Sequence, residues 1–186
     1  MAVDSDLHAY LERISSADRP RDSVHLRHQE LILGIALAGG WKGVPEAALD
    51  QDSRTSRSLD VLLTRRMEWV VVEIWDWFED VGRAFRDWDR RLGALQRLAI
   101  SRTSPTDGTT STDPIGLPQT GGVWVVRGTR RNRELVTQHG NVFRARFPTS
   151  GATWIRALSD PHAAMPSEPA LLWVSVDGAR IHPTRL

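Results

Sequence analysis

Residues 57–75, "RSLDVLLTRRMEWVVVEIW", constrain the fold more than any other part of this chain. Two apolar segments of strand length flank a short charged turn, a pattern that is typical of a β-hairpin. Each segment also contains one acid among its hydrophobic residues, Asp60 in the first and Glu73 in the second. Because an unpaired buried charge is costly, we expect each carboxylate to have a charged partner or a chemical function.

The composition predicts one folded domain spanning residues 1–186. The hydrophobic fraction is 40% and the charged fraction is 25%, which separates the chain from disordered proteins. The formal net charge is only +1, so we expect no strong overall attraction to nucleic acid or to a membrane surface.

Several classes of protein are disfavoured by what the sequence lacks. There is no cysteine, which excludes disulfides, zinc–thiolate sites and cysteine nucleophiles. The first residues, "MAVDSDLHAY", do not resemble a secretory signal. The apolar run at 31–38 is far shorter than the ~20 residues that a membrane span requires. We therefore expect a cytoplasmic protein that does not enter a membrane.

Periodicity predicts the elements around the hairpin. Helical spacing indicates an N-terminal helical extension within 1–20 and a second helix from Asp22 or Ser23 to about residue 37. A strand that contains a proline, "WKGVPEAALD", follows near a sheet edge. After the hairpin in sequence, residues 76–99 are predicted to form an amphipathic helix whose apolar positions are Val81, Phe85, Trp88, Leu92, Leu95 and Ala99.

The second half of the chain begins with a segment at 101–122 that is rich in Ser, Thr, Gly and Pro, and we predict a flexible loop there. A buried strand at 123–128, one helix capped by Thr129 and a shorter helix at 150–158 come next. A hairpin around Asp177–Gly178 ends the chain. This order predicts an α/β fold, with a mixed β-sheet sandwiched by helices.

The two acids of the hairpin can face each other, because Asp60 and Glu73 lie at similar distances from the turn. Both positions are near the strand ends, where a sheet can open to solvent. Two carboxylates on adjacent strands suit a hard divalent cation such as Mg²⁺ or Mn²⁺. Such an ion could polarise a phosphodiester and activate a water molecule. The simpler interpretation is that Asp60 pairs with a neighbouring arginine such as Arg57, and that Glu73 pairs with the arginines of the next helix.

A helix carrying Glu30, a strand with Glu46, then Asp60 and Glu73 on two strands, a helix and a further strand resemble the PD-(D/E)XK nuclease fold over residues 22–128. The resemblance implies a restriction-endonuclease-like core, helix-β-β-β-helix-β, with added C-terminal helices and a hairpin. It also implies that Asp60 and Glu73 hold Mg²⁺ or Mn²⁺ while Glu46 and Glu30 assist.

Four separated stretches carry a narrower resemblance: "RSLDVLL", "VVEIWDWFEDVGRAFRDWDRRL", "WVVRGTRRNRELV" and "RARFPTSGATWIRAL". They are similar to the C-terminal portion of actinobacterial proteins often labelled XRE-type helix-turn-helix regulators. That resemblance implies a regulatory role with DNA as a partner. Only about thirty residues precede the core, so we expect the DNA-recognition domain of those regulators to be missing or vestigial.

The chain departs from the nuclease motif at Trp75, which stands where the motif has a lysine. A tryptophan offers one indole N–H and no charge. Arg90 or Arg91 on the following helix, or Lys42 beside the first strand, could supply the missing cation. An arginine would supply charge but could not act as a base. The resemblance, together with the missing lysine, therefore favours a degenerate nuclease-like domain that binds DNA or a metal. An active Mg²⁺-dependent endonuclease and a non-enzymatic protein-interaction module are the alternatives.

Two further groups of residues are candidates for binding. Four arginines gather where a strand leads into a helix and could contact nucleic-acid phosphates, although a solvated charged face is an equally good interpretation: Arg127, Arg130, Arg131 and Arg133. A second row of arginines, on the long helix, has the same two interpretations. His25 and His28 are three residues apart on a helix and could form a metal-binding pair, but the sequence identifies no clear third ligand.

Overall fold

The computed structural model describes residues 19–48, 58–103 and 117–184. This part of the chain forms five helices and six strands. In chain order they are α1 (Arg19–Ala38), β1 (Lys42–Ala48), β2 (Ser58–Arg65), β3 (Glu68–Trp75), α2 (Val81–Thr103), β4 (Gln119–Arg127), α3 (Arg130–Gln138), α4 (Gly140–Arg146), α5 (Gly151–Ser159), β5 (Ala170–Val174) and β6 (Ile181–Pro183).

All six strands belong to one sheet, in the spatial order β1-β2-β3-β4-β5-β6. The first three strands form an antiparallel meander, and β3, β4 and β5 run parallel to one another. The last strand, β6, returns antiparallel to β5. The predicted α/β fold with a mixed sheet is therefore confirmed, and so is the order helix-β-β-β-helix-β at its start.

Helices cover both faces of the sheet, and a separate apolar cluster fills each side. On one face α1 and α5 pack with Ile32, Ala36, Trp154 and Leu158 against the sheet. On the other face α2, α3 and α4 contribute Phe85, Trp88, Val136 and Phe143. The central strand β3 is consequently buried along most of its length, which explains its nearly continuous run of hydrophobic residues.

The predicted β-hairpin is confirmed. Strands β2 and β3 flank a turn at residues 66–67, and their register pairs Val61 with Val72. The amphipathic helix is also confirmed, although α2 begins at Val81, five residues later than predicted. Asp80 explains that start, because its Oδ1 accepts a hydrogen bond from the backbone N–H of Arg83 at 3.0 Å and caps the first turn.

Strand β4 begins at Gln119, four residues earlier than predicted. Gly121 and Gly122 suggested a loop, but both are strand positions against which an indole ring packs. A Cβ atom at Gly122 would lie 2.2 Å from Cη2 of Trp88, and one at Gly121 would lie 2.9 Å from Cη2 of Trp154. Of the predicted loop, residues 104–116 lie outside the described part of the chain, and so do residues 1–18 of the predicted N-terminal extension.

In the C-terminal part, Thr129 caps α3 as predicted and accepts a hydrogen bond from the backbone N–H of Asn132 at 3.2 Å. The single helix predicted there is two, because α3 ends before His139 and α4 begins at Gly140. The terminal hairpin is confirmed, with Gly178 at φ 73° in its turn. None of the helices in the described ranges has the length and apolar character needed to cross a membrane.

Candidate metal site

Asp60 lies where β2 and β3 separate. The backbone pairing of these strands ends at Val61 and Val72, and at the next position the side chain of Asp60 bonds to β3 instead of its backbone. Its Oδ2 accepts a hydrogen bond from the backbone N–H of Ile74 at 2.6 Å. The other oxygen, Oδ1, lies 3.6 Å from Nε2 of His25 on α1. The carboxylate is thus held by one oxygen at the sheet, and its second oxygen faces a helix.

Glu46 lies on the neighbouring strand β1, at the same end of the sheet. The register of β1 and β2 passes from Pro45–Val61 to Ala47–Leu59, so Glu46 and Asp60 fall at the interrupted step. The backbone of Glu46 is left-handed, with φ 49°. A residue other than glycine held in this conformation costs on the order of 1–3 kcal/mol, and such strain is concentrated at functional sites.

A buried glutamine holds this end of the sheet together. Gln29 of α1 donates from Nε2 to Oε1 of Glu46 at 2.7 Å and to the backbone carbonyl of Asp60 at 3.0 Å. The second carboxylate oxygen of Glu46 accepts a hydrogen bond from Oγ of Ser58 at 2.9 Å. Gln29 is therefore a positioning residue for both acids. Sequence reasoning missed it, because a glutamine on a helix carries no distinctive signal.

His25, Glu46 and Asp60 form a compact group of potential metal ligands, which we call the HED site. One ligand atom from each residue lies within 4.8 Å of the others. Contact with the Asp60 carboxylate raises the pKa of His25; burial works in the opposite direction, and the charges of Asp76 and Glu46 add to the rise. The site therefore attracts positive charge, whether it comes from a protonated imidazole or from a cation.

The two histidines of α1 contact different acids. His28 is fully buried, and its Nδ1 lies 3.3 Å from Oδ1 of Asp76, the residue that follows β3. Burial alone would raise the pKa of Asp76, but the neighbouring His28, together with His25 and Arg127, lowers it overall. The two histidines of the predicted pair therefore lie at this end of the sheet, but His25 contacts Asp60 whereas His28 contacts Asp76.

Glu73, the second predicted metal ligand, lies outside the HED site. Its side chain is 2% exposed, and Oε2 accepts a hydrogen bond from Nη1 of Arg91 on α2. Burial raises the pKa of Glu73 well above its ordinary value, and the charge of Asp60 adds to the rise, whereas Arg91 opposes it. The carboxylates of Glu73 and Asp60 are thus close enough to repel each other, although Glu73 contacts Arg91 and Asp60 contacts His25.

The structure distinguishes the three residues that could replace the motif lysine. Arg91 contacts Glu73 directly. Arg90 is directed to Asp87, and its Nε donates to the backbone carbonyl of residue 86 at 3.3 Å. Lys42 pairs with Thr64, four residues from Asp60, so it lies roughly 13 Å along the strand from the site. Arg91 is therefore the best placed of the three residues to supply the positive charge of the motif lysine.

Trp75, at the position of the motif lysine, belongs to an aromatic cluster on the α2 face. Its ring centroid is 5.2 Å from that of Phe78 and 5.2 Å from that of Trp124. Phe78 also stacks on Trp124 at 5.6 Å. The space that a lysine would need in order to reach a substrate is thus occupied by packed rings.

The remaining predicted residues lie apart from the HED site. Glu30 is exposed on α1 and does not belong to this group. Arg127 donates from Nε and Nη2 to the backbone carbonyl of residue 176, Arg130 pairs with Glu134 at 2.7 Å, and Arg131 is exposed. Arg133 donates to the carbonyl of residue 128 at 3.1 Å. Three of these four arginines therefore have partners within the protein.

Comparisons of the chain with protein-family models, with curated proteins and with solved structures found no match.

Proposed function

We propose that this chain is a nuclease-like domain that binds a divalent cation at the HED site and is specialised for binding rather than for efficient phosphodiester cleavage. The observation that carries the proposal is the convergence of His25, Glu46 and Asp60, whose ligand atoms lie within 4.8 Å of one another. The strained backbone of Glu46 and the splayed strands at Asp60 support it, because both features place carboxylate oxygens at one point.

The donor set favours a transition ion. Mg²⁺ prefers oxygen ligands and retains several waters, whereas an imidazole nitrogen with two carboxylates suits Mn²⁺ or Zn²⁺. His25 would supply Nε2, and Glu46 and Asp60 would supply one oxygen each. Gln29 would keep both acids in place through its two hydrogen bonds. We therefore expect Mn²⁺ to bind more tightly than Mg²⁺.

The residues around the HED site argue against rapid turnover. A bound cation can polarise a phosphodiester and promote ionisation of water. The motif lysine is absent, and Trp75 packs against Phe78 in the core. Arg91 is the nearest alternative, but it contacts Glu73 and could neutralise charge without accepting a proton. Binding without efficient catalysis is the function that this arrangement supports best.

Several surface arginines are neutralised by carboxylates of the protein, which weakens the case for an extended DNA interface. Arg83 and Arg90 both lie near Asp87, and Arg146 contacts Asp89 at 2.6 Å. Charges that are neutralised within the protein contribute little to phosphate binding. DNA binding, a protein partner and a regulatory role remain hypotheses from the sequence resemblance.

Calorimetric titration with Mn²⁺ and Mg²⁺ tests the proposal. Asp60→Asn keeps an acceptor for the Ile74 N–H but removes the charge, and Glu46→Gln does the same toward Gln29. We expect each variant to weaken Mn²⁺ binding at least tenfold. Asp89→Asn removes an exposed acid of α2 and should leave binding unchanged. Equal Mn²⁺ affinity in the wild type and Asp60→Asn would overturn the proposal.

A nicking assay on supercoiled plasmid separates binding from catalysis. With Mn²⁺ or Mg²⁺ we expect negligible cutting by the wild-type chain. Efficient cutting that is lost in Asp60→Asn and retained in Asp89→Asn would show that the domain is an active endonuclease, and the binding-only proposal would then be wrong.

A further inference from the structure

Two adjoining cavities lie among α3, α4, the start of α5 and the residue that follows β6, and neither involves the HED site. Their volumes are about 500 Å³ and about 380 Å³, and Arg144 and Thr184 line both. Volumes of this size are ordinary for small-molecule sites. Phe147 and Leu171 form an apolar wall in the larger cavity, and Trp173 does so in the smaller one.

Thr184 provides the most specific signal in these cavities. The residue is only 8% exposed, and its Oγ1 is buried without a hydrogen-bond partner in the described part of the chain. Buried hydroxyl groups in folded proteins nearly always have a partner. Thr184 lines both cavities, and a polar atom of a bound molecule would satisfy this buried hydroxyl once the side chain rotates toward the cavity.

Two arginines give the cavities a positive charge. Arg144 contacts Oδ1 of Asn141, and Arg133 donates to the backbone carbonyl of residue 128 while its guanidinium lies 4.8 Å from the ring centroid of Trp173. Among the described residues, neither arginine forms an ion pair with a carboxylate. Several other arginines in these ranges do lie beside a carboxylate, for example those near Asp87, Asp89, Glu134 and Asp160.

The N-terminus of α5 adds to the same electrostatic field. The helix has nine residues, and the two residues before it, Thr149 and Ser150, line the larger cavity. Helix N-termini carry partial positive charge and favour anions. A guanidinium fork, a hydroxyl and a helix N-terminus together match the several acceptor oxygens of a phosphate group.

We propose that these cavities form a binding site for a small phosphorylated molecule. Arg144 and Thr184 would bind the phosphate oxygens, Arg133 would contribute further charge, and the apolar remainder of the molecule would lie along Phe147 and Trp173. The site is independent of the HED site, because β6 is four strands away from β2 in the sheet, a separation of roughly 19 Å.

Calorimetry of the full chain with inorganic phosphate, adenosine monophosphate and succinate, at fixed ionic strength, tests this assignment. We expect adenosine monophosphate to bind more tightly than phosphate, and succinate to bind most weakly. Arg144→Gln should weaken binding of adenosine monophosphate at least tenfold, and Thr184→Val about threefold. Arg156→Gln is the matched control, since it removes the same charge from an exposed arginine that lies near Asp160.

The proposal would be overturned by the absence of phosphate or adenosine monophosphate binding at millimolar concentration, by equal losses in Arg144→Gln and Arg156→Gln, or by tighter binding of succinate than of either phosphate compound. Circular dichroism establishes that each variant is folded. Should Arg144→Gln fail to fold, Thr184→Val decides the question, because valine preserves the shape of threonine while removing its hydroxyl. Unchanged affinity in that variant would contradict the assignment.

Discussion

Arg91 of α2 donates a hydrogen bond from Nη1 to Oε2 of Glu73, a residue near the end of β3 that is only 1% exposed. Nε of Arg91 and Oε1 of Glu73 are also buried, and neither has a hydrogen-bond partner among the described residues. A buried ion pair offsets the cost of desolvation only when its remaining polar atoms are satisfied. We therefore interpret this pair as a feature that costs stability.

Replacing Glu73 with glutamine should stabilise the fold. Burial and the charge of Asp60 raise the pKa of Glu73, so the folded state disfavours its ionised form at neutral pH. The glutamine carbonyl can still accept from Arg91. Because glutamine mimics the neutral form that the raised pKa favours, we expect Glu73→Gln to raise the free energy of unfolding by about 1 kcal/mol at pH 7. The gain should shrink as the pH falls through the raised pKa, because the wild-type carboxyl then becomes neutral too.

Urea denaturation at several pH values measures that difference. Glu134→Gln is a suitable control, since Glu134 forms an exposed ion pair with Arg130 and should change stability by only a few tenths of a kcal/mol. A Glu73→Gln protein that is less stable than the wild type at pH 7 would show that the Arg91 ion pair is net stabilising.

His25 should make part of the stability depend on pH in the same direction as Glu73, because folding raises the pKa of both groups. Its folded-state pKa is raised above 6.5, chiefly by Asp60. The resulting stabilisation is fully present below pH 6.5 and is lost as the pH rises through the raised pKa. Because both side chains are partly solvated, we expect about 0.5 kcal/mol. His25→Gln should remove this dependence, whereas His162→Gln, at an exposed position, should leave it intact.

Introducing lysine at Trp75 should damage the fold. The ring of Trp75 stacks on Phe78 and packs against Trp124, so its loss opens a gap in the aromatic cluster and leaves an ammonium group to be solvated there. We expect Trp75→Lys to lower the free energy of unfolding by about 3 kcal/mol, as measured by chemical denaturation. Met67→Lys, at the exposed hairpin turn, is the control and should be nearly neutral. A loss below 1 kcal/mol at Trp75 would refute this prediction.

Arg65 stabilises the opposite end of the hairpin, and lysine should not replace it. Its guanidinium lies 4.2 Å from the ring centroid of Trp41, and Nε donates to Glu68 at 2.7 Å. It also donates to three backbone carbonyls, those of Gly39, Asp160 and Ala163. We expect Arg65→Lys to cost about 2–3 kcal/mol in thermal or urea unfolding, because one ammonium cannot reach all these acceptors. Arg66→Lys, on the exposed turn, should have little effect.

The sheet was predictable from the sequence because its strands have a strong local pattern. The hairpin of β2 and β3 follows from two apolar segments around a charged turn, and α2 follows from Phe85, Trp88 and Leu95 at helical spacing. The start of β4 was not predictable in this way. Gly121 and Gly122 indicate a loop when only local preference is considered, yet they are required by Trp88 and Trp154, which pack from other parts of the chain.

The HED site was predictable only in part, because its contacts depend on how α1 crosses the sheet. Asp60 and Glu46 were expected near a cation, whereas His25 was considered only as one half of a possible metal-binding pair with His28. Helical spacing places His25 and His28 on one face, but it does not reveal that each contacts a different carboxylate. The choice of Arg91 over Arg90 as the partner of Glu73 similarly depends on the rotation of α2 about its axis.

The distribution of these two sites along the chain has a consequence for local unfolding. The HED residues lie between positions 25 and 60, whereas the cavities near Thr184 are lined by residues 133–184. A ligand suppresses only those openings that destroy its own site. Mn²⁺ should therefore slow amide hydrogen exchange in α1, β1 and β2, and a phosphate compound should slow it in α3, α4, α5 and β6. The molecule would then have two regions whose opening can be regulated separately by different solutes.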